Sequence, residues 1–240
     1  MKTTDYIISV INRLPKGYVF TYADIDSEER SKEAIIKALN RLAASGKISK
    51  LAKGKYYKPE QSVFGELPPP QYQVVKDLLE DNGKAIGYLT GYSMFNNLGL
   101  TTQVSNTIQI GRNEVRPTFK RGRYTISFVK QKNNITKNNI PLLQLLDSIR
   151  YVKKIPDTNL TNAVKRILVI IKELPSQEQQ KMVKLAMKYP PSTRALLGAI
   201  LDEIGAGFSE PLYKSLNQIS KYDFPSVNKV LSSTEKWNIV

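Results

Sequence analysis

Residues 31–59 read SKEAIIKALNRLAASGKISKLAKGKYYKP, and the rest of the chain is organised around this stretch. Ala34, Ile35, Ala38, Leu39 and Leu42 recur at the three-and-four spacing of a helix with one buried stripe. That leaves Lys32, Glu33, Lys37, Asn40 and Arg41 on the outer face. Ser31 offers an N-cap hydroxyl, and Gly46 stands where a C-terminal cap belongs. Ile48 to Leu51 and Lys55 to Lys58 then read as two short strands joined at Ala52-Lys53-Gly54. Lys47, Lys50, Lys53, Lys55 and Lys58 fall within twelve residues that hold no acid. Like charges this close repel, and a phosphate backbone would relieve the repulsion. A helix with a basic outer face that runs into a basic two-stranded ribbon has the layout of a recognition helix and wing, so DNA binding is the first expectation.

The residues upstream agree with that layout. Tyr6, Ile7, Val10, Ile11 and Leu14 predict an amphipathic helix over 3–14 that stops at Pro15-Lys16-Gly17. Tyr18-Val19-Phe20 is a short strand able to pair with the wing. Thr21 can cap a short helix through Tyr22, Ala23, Asp24 and Ile25, and a polar turn from Asp26 to Arg30 leads to Ser31. The order helix, strand, helix, turn, helix, hairpin predicts a winged helix-turn-helix over residues 1–60. Within it Lys37, Asn40 and Arg41 suit base edges in a major groove, where Asn pairs with adenine and Arg or Lys with guanine. Ser31 and the first helix amides suit a phosphate, and Lys53 and Lys55 suit the backbone or the minor groove.

Downstream, residues 61–70 end in Leu67-Pro68-Pro69-Pro70 and predict a semi-rigid linker. A small α+β domain is expected over 71–137. It has a helix on Tyr72, Val75, Leu78 and Leu79 ending at Asn82-Gly83, then strands at 85–89, 107–110, 115–119 and 124–129, with a helix at 91–98. Between 112 and 132 there are seven basic residues against one acid, Glu114. Arg112, Arg116, Lys120, Arg121, Arg123 and Lys130 are therefore candidates for a second anionic docking surface, with a solvated face as the alternative. From residue 138 the chain reads as helices, at 141–154, 160–173, 176–188 and 193–204 and near 210–220, in an all-helical C-terminal domain. The overall expectation is an α+β protein.

The 36 Lys and Arg against 21 Asp and Glu leave a net charge of +15, with 5 net positive charges on each of residues 1–60, 61–140 and 141–240. Such a balance favours a polyanionic partner or an acidic protein surface. With neither Cys nor His, thiolate chemistry, zinc sites on those residues and Ser-His-Asp triads are excluded. Asp24-Ile25-Asp26 lacks the strand and Gly-Ser turn of a magnesium site for nucleotidyl transfer. Asp202 and Glu203, adjacent on a helix, do not share a face. Gly91-Tyr92-Ser93 lacks the second Gly and the base of a nucleophile elbow. No cofactor or metal is expected, and the residues argue against catalysis. No apolar run reaches a membrane span and the N-terminus is too polar for a signal peptide, so a cytoplasmic protein with no membrane partner is expected.

The motifs also resemble a known family. KEAIIKALNRLAASGKISKLAKGKYYKP, at 32–59, resembles the winged-helix domain of the AbiEi-type antitoxins of type IV toxin–antitoxin (abortive infection) systems. In that family a helix ending in Leu-x-x-x-Gly-x-Ile/Leu runs into a basic wing finishing in Gly-x-Tyr. GYLTGYSMFNNLGLTTQVSNTIQI, at 87–110, looks like their second domain, and TRALLGAILDEIG with the terminal WNI is similar to a related group of antitoxin-like proteins. The resemblance implies a repressor that binds inverted repeats in its own promoter, as a homodimer on double-stranded DNA, while later domains counteract a toxin of the nucleotidyltransferase class. It carries DNA contact onto Ser31, Lys32, Lys37, Arg41, Lys50, Lys53 and Lys55. A stand-alone regulator with a ligand- or protein-binding helical domain is the alternative, and an enzyme acting on nucleic acid through carboxylates is a third.

Overall fold

The computed structural model describes residues 3–26 and 31–240 and has a mixed α+β fold. Its contacts form two units, one of Met1–Asp77 with Phe119–Thr125 and the other of Leu78–Thr118 with Ile126–Val240.

The first unit opens with α1 (Thr3–Arg13), β1 (Val19–Phe20) and a single 3-10 turn (Tyr22–Asp24) where a short helix was expected. Thr21 stands at its N-cap, and the Asp24 carboxylate accepts from the Thr21 amide and hydroxyl at 2.7 and 2.9 Å. Of the expected polar turn at 26–30, residues 27–30 lie outside the described residues. Then come α2 (Lys32–Ala44), β2 (Ser49–Ala52) and β3 (Lys55–Tyr57). Ile7 and Ile11 of α1 meet Ile35, Ala38, Leu39 and Leu42 of α2 in one core closed by Phe20, Ile25, Ile48 and Tyr56. Each large side chain buried there contributes about 1.5–3 kcal/mol, so the stripe on α2 is what docks it. The strands form an antiparallel sheet in the order β1-β3-β2, with Phe20 opposite Tyr56 and Val19 opposite Tyr57.

The proline-rich stretch expected as a plain linker contains a hairpin, β4 (Glu60–Ser62) and β5 (Gly65–Leu67). Gly65 takes φ 103°, which a side chain would strain. Ser62 Oγ accepts from the Phe64 amide at 3.1 Å and donates to the Gly65 carbonyl at 2.9 Å, which closes the turn. Glu66 ties this hairpin to the sheet: Ser49 Oγ donates to it at 2.8 Å and the Tyr57 hydroxyl donates to its other oxygen. Burial and that carboxylate push the Tyr57 hydroxyl up to about 12, so it remains a donor.

Next, α3 (Gln71–Leu79) stops three residues before its expected end. Asn82 and Gly83 adopt φ 46° and 76°, a two-residue turn that joins β6 (Glu80–Asp81) to β7 (Lys84–Ala85). Asn-Gly is a hairpin signal as well as a helix stop, and here the hairpin wins. In the second unit β8 (Gly87–Thr90) leads to α4 (Tyr92–Phe95) and β9 (Thr107–Arg112). The strand expected over 115–119 is irregular up to Phe119, where β10 (Phe119–Arg121) begins, because Pro117 cannot donate to a ladder. It is followed by β11 (Tyr124–Lys130), which lies beside β9.

The C-terminal helices are α5 (Ile140–Arg150), α6 (Leu160–Glu173), α7 (Ser176–Ala186), α8 (Pro191–Glu203) and α9 (Glu210–Lys214), the last shorter than expected. They do not form a core of their own. Tyr88, Phe95 and Leu100 join Leu142, Leu146, Ile167 and Leu197 in one cluster, so the middle segment and the helices expected as separate domains share a unit. The reason is visible at Tyr88. Its ring lies over Gly111, where a Cβ would sit 2.4 Å from the ring, and its hydroxyl reaches Asp147 of α5 at 2.7 Å. Thr90 and Tyr189 donate to the same carboxylate at 2.7 and 2.9 Å, and Gln131 donates to both tyrosine hydroxyls at 2.8 Å. Burial pushes the Asp147 carboxyl up, and the three hydroxyls oppose that shift. Among the described residues no helix is long and apolar enough to cross a membrane.

Candidate nucleic-acid interface

The basic helix face in the first unit is built by α2. Ser31 caps it, its Oγ accepting from the Ala34 amide at 3.2 Å. The same periodicity that buries Ile35, Ala38, Leu39 and Leu42 leaves Lys32, Glu33, Lys37, Asn40 and Arg41 exposed. Gly46, at φ 73°, ends the helix, and β2 and β3 follow, joined through Gly54 at φ 71°. Lys50 and Lys53 are exposed on this hairpin, and Lys47 is exposed in the turn that leads into it. Among the described residues none of Lys37, Arg41, Lys47, Lys50 and Lys53 forms an ion pair. Lys32 lies over the Tyr22 ring, 4.6 Å from its centroid.

Three of the residues read as cations or base readers have work inside the unit. Asn40 Oδ1 accepts from the Tyr56 hydroxyl at 2.8 Å, and Tyr56 is buried against Phe20 with ring centroids 6.3 Å apart. A bidentate adenine contact needs the amide oxygen and nitrogen together. The Tyr56 bond occupies one of the two lone pairs of that oxygen and fixes the direction of the amide. Lys58 donates to the carbonyls of Asn12 and Leu14 at 2.9 and 3.1 Å, so it caps the C-terminal end of α1. Lys55 pairs with Asp77 at 3.2 Å. The acid-free ribbon therefore leaves Lys47, Lys50 and Lys53 to face a ligand.

Asp77 also holds Arg121, at 2.6 and 3.1 Å to the two carboxylate oxygens, and Arg121 donates to the Val74 carbonyl at 2.7 Å. The expected second basic surface changes accordingly. Arg121 is buried in this ion-pair cluster and Arg112 is buried in the second unit. Lys120 and Arg123 are exposed in the first unit, with Arg123 over the Tyr124 ring at 5.1 Å, while Arg116 and Lys130 are exposed in the second. The carboxylate that claims Arg121 and Lys55 lies 44 and 22 positions away in the chain, and no local pattern announces it.

Burial alone would raise the Asp77 carboxyl, but the Arg121 guanidinium and then Lys55 outweigh it and hold the group below its ordinary value. A depressed carboxylate stabilises above its unfolded pKa, about 3.9, and loses that contribution as pH falls through the lower folded value. Asp77→Asn should cost the first unit about 1–3 kcal/mol, less than a fully buried pair, because the Asp77 side chain is 40% exposed and water screens it. Urea titrations at pH 7 and pH 3 should show a smaller difference between wild type and variant at the lower pH. An equal difference at both would remove the linkage.

Neither a curated protein nor a solved structure matches the chain. A family model does match, over residues 6–187, a span that includes α2, the basic hairpin and the Asp77 cluster. The chain accordingly belongs to DUF6088, a family of unknown function.

Proposed function

We propose that the first unit is a winged helix-turn-helix that binds double-stranded DNA, with α2 as the recognition helix and the β2–β3 hairpin as the wing. The observation that carries this reading is a set of five exposed cations that form no ion pair among the described residues, Lys37 and Arg41 on α2, Lys47 in the turn after it, and Lys50 and Lys53 on the hairpin. Three acids of the unit are engaged away from these cations: Asp77 with Arg121 and Lys55, Glu66 with Tyr57 and Ser49, and Asp24 with Thr21. A face with this excess of cations suits a phosphate backbone, whose bound counterions are released on contact. In this reading Lys37 and Arg41 contact base edges, Ser31 and Lys32 sit by a phosphate at the helix start, and Lys50 and Lys53 follow the backbone.

The protein then acts as a repressor of its own promoter rather than as an enzyme, binding inverted repeats as a homodimer. Opposition to a nucleotidyltransferase-class toxin is part of the same proposal and rests on the resemblance of residues 32–59 and 87–110 to AbiEi-type antitoxins. Co-purification of a nucleotidyltransferase encoded beside this gene would support that part, and its failure to bind would leave a repressor without a toxin.

Polarisation titrations against a duplex from the protein's own promoter and a scrambled duplex, at two salt concentrations, test the DNA reading. Specific binding should exceed scrambled binding by at least about 10³-fold. Equal, weak binding to both would sink it. Lys53→Ala should weaken both duplexes alike and flatten the slope of log K against log salt by about one. An unchanged slope would take Lys53 off the backbone.

A further inference from the structure

The second unit contains a cavity of about 260 Å³ lined by Lys130, Lys132, Arg150 and Lys188 around Gln131 and Tyr189. Four of the lining residues are cations and none is an acid. Among the described residues none of the four forms an ion pair. Two are held by uncharged groups instead: Lys130 donates to the Asn113 carbonyl, and Lys188 donates to the Lys132 carbonyl at 3.3 Å. These bonds orient the ammonium groups without neutralising them. A lysine ammonium has three donors, so each keeps others for a ligand.

The wall reinforces the sign. Pro190 and Pro191, the N-cap and first residue of the thirteen-residue α8, line the cavity, so the positive end of that helix dipole borders it. The floor is fixed. Tyr189 donates to Asp147 and accepts from Gln131, and Gln131 Oε1 accepts from the Asn133 amide at 2.8 Å. Cations gathered over a rigid polar floor repel one another at a cost that an anion would remove. The cavity is smaller than the roughly 300–1,000 Å³ of sites that enclose a drug-sized ligand. It fits a compact oxyanion group whose remainder projects into solvent.

We infer that this cavity is a phosphate-binding site, with Lys132, Arg150 and Lys188 as its principal ligands. The inference is independent of the DNA-binding reading, since every residue involved lies in the second unit. The phosphate belongs either to a small phosphorylated molecule, which would make the second unit an effector domain, or to a nucleic-acid backbone.

The test is calorimetric titration of the full chain with inorganic pyrophosphate, against sodium chloride of matched ionic strength, for wild type and for Lys132→Gln/Lys188→Gln. Both substituted side chains are exposed. Saturable binding to the wild type, weakened at least tenfold in the double variant with an unchanged ligand-free unfolding midpoint, is the expected result. Absence of saturable heat beyond the chloride control, or equal affinity in both proteins, overturns the site. If the double variant unfolds early, Arg150→Gln is measured in its place against the same criteria. Competition then distinguishes the sources. Displacement of pyrophosphate by a short duplex, in a Lys37→Ala/Arg41→Ala background, assigns the cavity to a backbone phosphate; retention of pyrophosphate assigns it to a small phosphorylated molecule.

Discussion

Trp237→Ala should destabilise the second unit by about 3–5 kcal/mol, the range for deleting a buried aromatic. The indole is fully buried. It lies so close over Gly198 of α8 that a Cβ there would stand 2.1 Å from the ring. Tyr213 meets it edge-on at 5.6 Å, and its Nε1–H donates to Asp202 at 2.8 Å. Losing that hydrogen bond adds about 0.5–1.5 kcal/mol. For a unit of this size each kcal/mol lowers the midpoint by about 2–4 °C, so thermal unfolding should shift by roughly 10 °C or more. The partner substitution gives a sharper test. Gly198→Ala overfills the same space and should cost about 1–3 kcal/mol or more alone, yet much less in the Trp237→Ala background, where the ring has gone. Additive costs in that double-mutant cycle would show that the two residues are not in contact. Asp202 links this seat to pH. Burial would raise its carboxyl, but Lys236, Ser209 and Trp237 together hold it below the ordinary value, so its contribution is present above about pH 4 and lost as pH falls through its folded value.

Lys37→Ala/Arg41→Ala should abolish selective binding to the promoter duplex while leaving the fold intact. Each base-edge contact is worth about 1–3 kcal/mol, so the pair should cost roughly thirtyfold to 10⁴-fold in affinity. Both residues are exposed on α2, one turn apart, and neither supports the core. Exposed substitutions of this kind change stability by about 0.5 kcal/mol at most. The measurement is the ratio of promoter to scrambled affinity, which should fall towards one. If both affinities dropped by the same factor, the two residues would be backbone contacts. If neither moved, α2 would not be the recognition helix. Asn40→Ala should have a mixed outcome, because Asn40 also accepts from the Tyr56 hydroxyl, and that makes it a poorer probe of base reading.

Most of the helices were legible as periodicity. The stripe on α2 is a local pattern, and burial follows it residue by residue, whereas α5 and α8 are buried almost all round. Where local signals compete, reading them alone misplaces elements: Asn82-Gly83 served a hairpin, and Pro117 erased a strand. The candidate interface was legible to the same extent. Exposure of Lys37 and Arg41 follows from helix period, whereas the positions of Lys55, Lys58 and Arg121 do not. A run of lysines looks uniform until its partners are known, and those partners are the carbonyls of Asn12 and Leu14 and the carboxylate of Asp77.

By itself the amino-acid sequence determined the α+β class, the helix stripes, the excess of positive charge and, through the absence of Cys and His, the chemistries that are excluded. Each of these depends on composition or on neighbours a few positions apart. Only the tertiary structure decided that Lys55, Lys58 and Arg121 have partners inside the fold, that the middle segment and the C-terminal helices share a core, and that Lys130, Lys132, Arg150 and Lys188 surround one cavity. Those outcomes depend on pairings across tens of residues, where the choice of partner is set by packing and by the cost of burying a charge without its counter-charge.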